Sequence, residues 1–340
     1  MRLSVYQHAH FLFVFITAAI LLIMNTQTAA AFSTPKKVAI VGSTGNLGRR
    51  ALDQLLDRKI PVKCLIRQST PPNFLAEKQK ANPDLIEFVT GGDVTNPEIV
   101  QELLKDCTHC LALHGATRKS KWYEPLFASE GSEDSHPSHA KQVNCKSMET
   151  FVKCAQTTDC KHIVRITGKG ETPWSFFSVL INGLGSMAKG WNYEGEQVLR
   201  QQQSASKDSQ HHLDYTIIRP GIMKADYDYQ KENVHLGLAD NGGDLPVSAV
   251  SYDQIAELCV EVLFQPEARN TTLTAMNVAN EENKTPTAVT ERLKQVKKDT
   301  RIFPASLIEE HKRAVKTVFR SLSAGFLAVL AGVVLKLLPR

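Results

Sequence analysis

The stretch Gly42-Ser43-Thr44-Gly45-Asn46-Leu47-Gly48 constrains the fold of this chain more than any other. It comes after a β-branched run, Lys37-Val38-Ala39-Ile40-Val41, and leads into the apolar spacing Leu47, Ala51, Leu52, Leu55 and Leu56. The first pattern predicts a short buried strand and the second an amphipathic helix. A strand, a glycine turn and a helix in that order suit a pyrophosphate. Gly42 permits the tight turn, Gly45 lets backbone approach the phosphates, and Gly48 lets helix and strand pack closely. The turn therefore predicts a dinucleotide site.

Residues further along the chain fill in that site. A second strand, Val62-Lys63-Cys64-Leu65-Ile66, ends at Arg67. An acidic residue there would hold a ribose diol and favour NAD, whereas arginine can pair with a 2′-phosphate and favours NADP; the bland alternative is a solvated arginine at a strand end. The third strand, Leu85 to Val89, leads into Gly92-Asp93-Val94, where Asp93 can accept from the adenine amino group. The fourth, Cys110 to Leu113, ends at His114-Gly115-Ala116. Gly115 leaves room for the cofactor, and His114 reads as a strand-end polar residue rather than an acid or base. A helix from Lys146 to Ala155 precedes a fifth strand, His162 to Ile166; a sixth spans Tyr215 to Pro220 and a last one Ala275 to Val278. This rhythm predicts an α/β Rossmann fold, a doubly wound parallel sheet with helices on both faces. Its ligand site lies at the carboxyl ends of the strands.

The 340 residues suit one large α/β domain with appendages, and 42% hydrophobic content supplies its core. A formal charge of +5, spread along the chain, argues against a nucleic-acid partner. Of the seven cysteines only Cys107 and Cys110 form a CxxC, and no second pair completes a metal site. Cys110 opens an apolar strand, so the pair reads as structural and no metal is expected.

The ends carry a different signal. Arg2, an apolar run from Phe11 to Met24 and the small residues Ala29, Ala30 and Ala31 predict a signal peptide over 1–31, with a retained anchor as the alternative. The junction Ala31-Phe32-Ser33-Thr34-Pro35 resembles the alanine–phenylalanine junction of bipartite plastid presequences in diatoms and related algae. That resemblance implies an algal secondary plastid. The competing destination is the secretory pathway or endoplasmic reticulum, where Asn270-Thr271-Thr272 and Asn283-Lys284-Thr285 are glycosylation candidates. At the other end, 281–317 reads as a charged linker and an amphipathic helix that starts at Ile302-Phe303-Pro304. Residues 318–339 are a candidate membrane-associated helix that either spans or lies on the bilayer: Ser321 to Leu335 carries no charge and is bounded by Arg320 and Lys336.

Over residues 36–280 the chain resembles the short-chain dehydrogenase/reductase superfamily, in its atypical NAD(P)H-binding group related to NmrA-like proteins. The resemblance rests on Gly42 to Gly48, Arg67, Gly92-Asp93-Val94, Val143-Asn144, Val164-Arg165-Ile166-Thr167-Gly168, Tyr193-Glu194-Gly195-Glu196 and Tyr215 to Gly221. It implies that Pro220, Gly221 and Ile222 border the nicotinamide ring. It also implies a tyrosine general acid four residues before a lysine, one helical turn apart, and a serine or threonine after the fifth strand.

Here the tyrosine place falls on Ala188 and the lysine place on Asn192. Thr167 stands where a substrate carbonyl would be positioned. Lys189, Tyr193 and Tyr123 are the remaining candidates for an acid. Two readings remain: an NADPH-dependent reductase of an apolar substrate, or a membrane-tethered redox-sensing scaffold or assembly factor whose partner is a protein. The apolar stretch Trp174 to Ile181 either lines a pocket, packs as a helix or meets a partner, and Thr117 to Lys141 reads as a solvated inserted loop.

Overall fold

The computed structural model describes residues 35–127, 135–205, 212–280 and 287–337, without the side chains of 203–205 and 330–337. The segment expected to be a signal peptide, the Ala31–Phe32 junction and the sequon at Asn283 lie outside these residues. In chain order the strands are β1 (Val38–Val41), β2 (Val62–Leu65), β3 (Ile86–Val89), β4 (His109–Ala112), β5 (His162–Ile166), β6 (Asp214–Pro220), β7 (Ile222–Lys224), β8 (Val234–Ala239), β9 (Ala249–Ser251) and β10 (Thr271–Ala279). Eight of them form one sheet in the order β3-β2-β1-β4-β5-β6-β10-β8. All neighbours in it run parallel except β8, which closes the edge antiparallel to β10. Strands β1, β2 and β4 are buried along their whole length, as expected where helices cover both faces. The fold is the doubly wound α/β architecture expected from the strand–helix rhythm.

The helices are α1 (Asn46–Asp57), α2 (Asn73–Ala81), α3 (Pro97–Leu104), α4 (Glu124–Phe127), α5 (Ser147–Ala155), α6 (Phe176–Leu184), α7 (Ala188–Ala205), α8 (Tyr252–Glu261), α9 (Val289–Leu293) and α10 (Ile308–Leu337). One face of the sheet packs with α1 and α8 around Leu52, Leu55, Ile255 and Leu258. The other packs with α3 and α5 around Leu103, Phe151 and Tyr215. All seven cysteines are free and buried. Burial pushes the Cys107 thiol up to about 12, and that of Cys110 well above the usual range, so the CxxC is part of the core.

Several elements differ from the sequence expectation. The helix before β5 begins with a π-helical stretch, Lys141–Lys146, that extends it five residues ahead of the start expected at Lys146. After Gly221 the small parallel pair of β7 and β9 leads into α8. Helix α8 opens with a full capping box between Ser251 and Gln254.

The C-terminal segment is held against the domain. Asp299 accepts from the Thr272 amide and hydroxyl and from Tyr215, and Asn241 accepts from the amides of Thr300 and Arg301. Helix α10 begins at Ile308 rather than near Phe303, because the Glu194 carboxylate accepts from the amides of Leu307 and Ile308 and caps it there. Among the described residues no helix is long and apolar enough to cross a membrane.

Candidate dinucleotide site

The strand order reverses between β1 and β4, and the glycine turn sits at the carboxyl end of β1, beside that switch point. Gly42 has φ +89°, a left-handed backbone that side chains rarely adopt, and a Cβ there would approach the Leu113 carbonyl at 3.1 Å. A Cβ on Gly48 would lie 2.1 Å from the Gly42 carbonyl oxygen. Helix α1 can sit this close to the turn only because position 48 has no side chain. Gly45 is its N-cap and supplies no side-chain hydrogen bond, and the first turn holds no acidic residue. The amide groups at this helix end are thus left to an anion. Thr44, Gly45 and Asn46 are exposed, whereas Ser43 and Leu47 turn their side chains inward and offer only backbone.

Arg67 is exposed just past β2, with no hydrogen bond or ion pair among the described residues. Its charge reaches His114, at the end of the neighbouring β4 region. Asp93 is exposed and uses Oδ1 to accept from the amide and hydroxyl of Thr95 at 2.8 Å, while Val94 is half-buried against the core. A Cβ on Gly115 would meet nothing, so the space beside it is open. Gly221 passes so close to Ser248 that a Cβ would sit 2.2 Å from its carbonyl, and this holds the exposed Ile222 beside Pro220. Burial, and then the Arg165 charge, push the His114 pKa well down; its Nε2 meets the Ser147 hydroxyl at 3.2 Å.

One charged residue at the turn was not anticipated. Arg49 lies in the first turn of α1, donates to the Thr44 carbonyl at 2.9 Å and stacks 3.9 Å over the Phe74 ring. A cation at a helix N-terminus opposes the helix dipole, and that mismatch was the available sequence signal.

Ala188 and Asn192 lie one turn apart on α7. The Asn192 side chain accepts from Arg165, whose buried guanidinium also donates to the carbonyls of Ala112 and His114. A lysine at 192 would place an ammonium against that guanidinium. The Thr167 hydroxyl donates to Glu196 at 2.6 Å. Glu196 is fully buried and accepts from Arg219 Nε and Nη2, at 3.0 and 2.5 Å, and from Arg200 at 2.8 Å. Burial alone would raise its pKa, but the two guanidinium groups hold it down to about 2.

Arg219 also pairs with Glu171, which binds Arg301, and Arg200 stacks 3.8 Å over Phe303. The buried Tyr193 donates its hydroxyl to the Pro304 carbonyl at 2.7 Å, and burial pushes its pKa up to about 12. Lys189 donates to the Ser178 hydroxyl at 3.0 Å, and burial, aided by the charges of Lys169 and Arg219, lowers it to about 8. Tyr123 is half-buried beside the Trp122 ring. The cofactor candidates therefore gather along the carboxyl ends of β1 to β6, while Tyr193 points to the C-terminal segment. Among the described residues no group of His, Cys, Asp and Glu could hold a metal ion.

Residues 42–266 match the sequence pattern of a family described as NAD(P)H-binding. The chain belongs to that family. A relative from Trieres chinensis, Photosystem II assembly factor Ycf39, is 24% identical over 242 residues, which cover 68% of this chain. The match spans 61% of that protein's length. Among solved structures, Gre2 from Candida albicans in complex with NADPH has a TM-score of 0.51 at 12% identity, covering 71% of this chain and 79% of its own. A Bacillus halodurans protein assigned as an NAD-dependent epimerase/dehydratase has a TM-score of 0.52 at 11% identity, covering 77% of this chain and all of its own. These likenesses are of fold.

Proposed function

We propose that this chain binds NADPH and serves as a catalytically reduced, redox-sensing scaffold or assembly factor beside a membrane. The carrying observation is that the groups around the expected catalytic position are committed elsewhere. The Thr167 hydroxyl is given to Glu196, that of Tyr193 to Pro304, and Asn192 to Arg165. The glycine turn at 42–48 fits the pyrophosphate, since its helix end is uncapped and lacks acidic residues. Arg67 and Arg49 suit the additional phosphate of NADPH, and Asp93 keeps an oxygen for the adenine amino group. Gly115, Pro220, Gly221 and Ile222 border the nicotinamide end. When bound, the nicotinamide supplies a hydride donor.

The name of the Trieres chinensis relative and the Ala31–Phe32 junction support an assembly role in an algal plastid. One observation favours the reductase reading instead: Lys189, with its pKa lowered to about 8, is poised near the pH at which a general acid works best.

Binding and turnover are measured separately. Titration with NADPH is expected to show binding that Gly45→Asp abolishes; a chain that binds neither NADPH nor NADH would sink the cofactor reading. NADPH oxidation is then followed with quinones, enones and tetrapyrroles. No turnover above background is expected, and turnover that Lys189→Met removes would establish the reductase instead.

A further inference from the structure

Helix α6 is inverted. Its buried side carries Ser178, Val179, Asn182 and Gly183, while Phe176, Phe177, Leu180, Ile181 and Leu184 face outward. Phe176 is 74% exposed. The polar inward residues have structural work: Asn182 accepts from the amides of Lys189 and Gly190 and donates to His311. No such task explains bulky apolar groups left in water on the opposite face.

That face continues onto α10, which crosses α6 where the Phe319 ring fills the space a Cβ on Gly183 would take. The first turns of α10 dock through Ile308, His311, Ala314 and Val315. Beyond them Leu322, Phe326, Leu327 and Val329 are about two-thirds exposed. Short helix α4 touches both α6 and α10 and adds Phe127, with Trp122 just before it at 86% exposure.

Among the described residues, the charge bordering this face is basic. Neither α6 nor α10 beyond Glu310 contains an acidic residue, and Glu124 on α4 is buried against Arg118. Basic residues border the face: Arg320 donates to the Leu126 carbonyl and lies over Phe127, and exposed Lys119 and Lys121 precede Trp122. Phenylalanine and leucine flanked by tryptophan, lysine and arginine match an anionic bilayer surface, with rings among the acyl chains and cations at the headgroups.

We infer that α4, α6 and the outer half of α10 form one composite face that docks in the plane of an anionic lipid bilayer. The face places the domain on the membrane through three helices rather than through its tail alone. This deepens the membrane-side part of the proposed function and is independent of cofactor binding, so the two can fail separately.

The test is flotation of the full chain with vesicles of equal parts phosphatidylcholine and phosphatidylglycerol, with phosphatidylcholine alone as the neutral comparison. The chain is expected to float with the mixed vesicles, and less so as salt rises. Phe176→Asp with Phe177→Asp, and separately Leu322→Asp with Phe326→Asp, are each expected to lower partitioning by about tenfold or more. Far-UV circular dichroism and a thermal melt of the same variants report that the domain remains folded. If either pair loses the folded signal, Trp122→Ser replaces it, because so exposed a side chain has little packing to lose; it too is expected to weaken flotation. Three results would overturn the inference: no flotation of the unaltered chain, flotation of the folded α6 variant equal to it, or a lipid-free dimer that the same substitutions dissociate.

Discussion

Replacing Glu196 by Gln tests the buried cluster that Glu196 forms with Thr167, Arg200 and Arg219. The substitution keeps the shape and one hydrogen-bonding oxygen but removes the negative charge between Arg219 and Arg200. Arg219 keeps Glu171, while Arg200 keeps the Thr272 hydroxyl at 3.0 Å and Asp299 at 3.8 Å. Deleting one partner of a buried ion pair costs about 3–5 kcal/mol, because the other charge stays desolvated. The depressed pKa points to the same order of magnitude. A carboxyl held at about 2 against an ordinary 4.5 contributes about 3 kcal/mol at neutral pH.

The sign is that of a depressed acid. The contribution is present above pH 4.5 and is lost as pH falls towards about 2. Urea unfolding followed by circular dichroism should show a lower midpoint for Glu196→Gln at unchanged slope. The acid-side loss of stability between those pH values should become shallower. In a cycle with Arg219→Met, the double variant should be less destabilised than the sum of the singles by at least about 1 kcal/mol. A cost below about 1 kcal/mol, or strict additivity, would refute the view that this cluster is a coupled ionic unit.

Three further outcomes are expected. Gly48→Ala should weaken NADPH binding by about tenfold or more in a fluorescence titration, since its methyl collides with the Gly42 carbonyl and shifts the helix end that meets the phosphates. Arg67→Glu should cost about 10- to 100-fold in NADPH affinity and leave NADH nearly unchanged, the range of a charge-assisted contact; equal losses for both would remove Arg67 from the 2′-phosphate. Lys189, lowered from 10.5 to about 8, releases its proton earlier in the folded state, so its contribution to stability should rise as pH goes from about 8 to 10.5. Thermal melts of Lys189→Met should lack that rise.

How much of the fold was legible before folding differs from place to place. The glycine turn and β1 to β6 were readable because they are local. A β-branched run makes a strand, and glycine at 42, 45 and 48 has steric consequences that a short stretch of chain decides. The tyrosine and lysine places fell on Ala188 and Asn192 only through the resemblance at Tyr193 to Glu196, not through any local pattern. Strand β8 was missed because its partner β10 is joined to it only by a long connection through α8.

Tertiary structure alone decided what the residues around the site touch. Nothing in the spacing of Thr167, Glu196, Arg200 and Arg219 announces that they converge, because they come from three elements and meet only once β5, α7 and β6 are side by side. The same holds for the C-terminal segment. Its composition suggests a linker, yet Asp299, Phe303 and Pro304 complete the environment of Arg200 and Tyr193. Periodicity marks α6 as apolar, but only packing against α7 and α10 shows that its polar side is the inner one. Sequence determined a Rossmann frame with a nucleotide turn, because those features depend on backbone sterics over a few residues. Which polar groups around the site are committed to protein partners, and which apolar ones face outward, depended on contacts between residues more than a hundred apart, such as Tyr193 with Pro304.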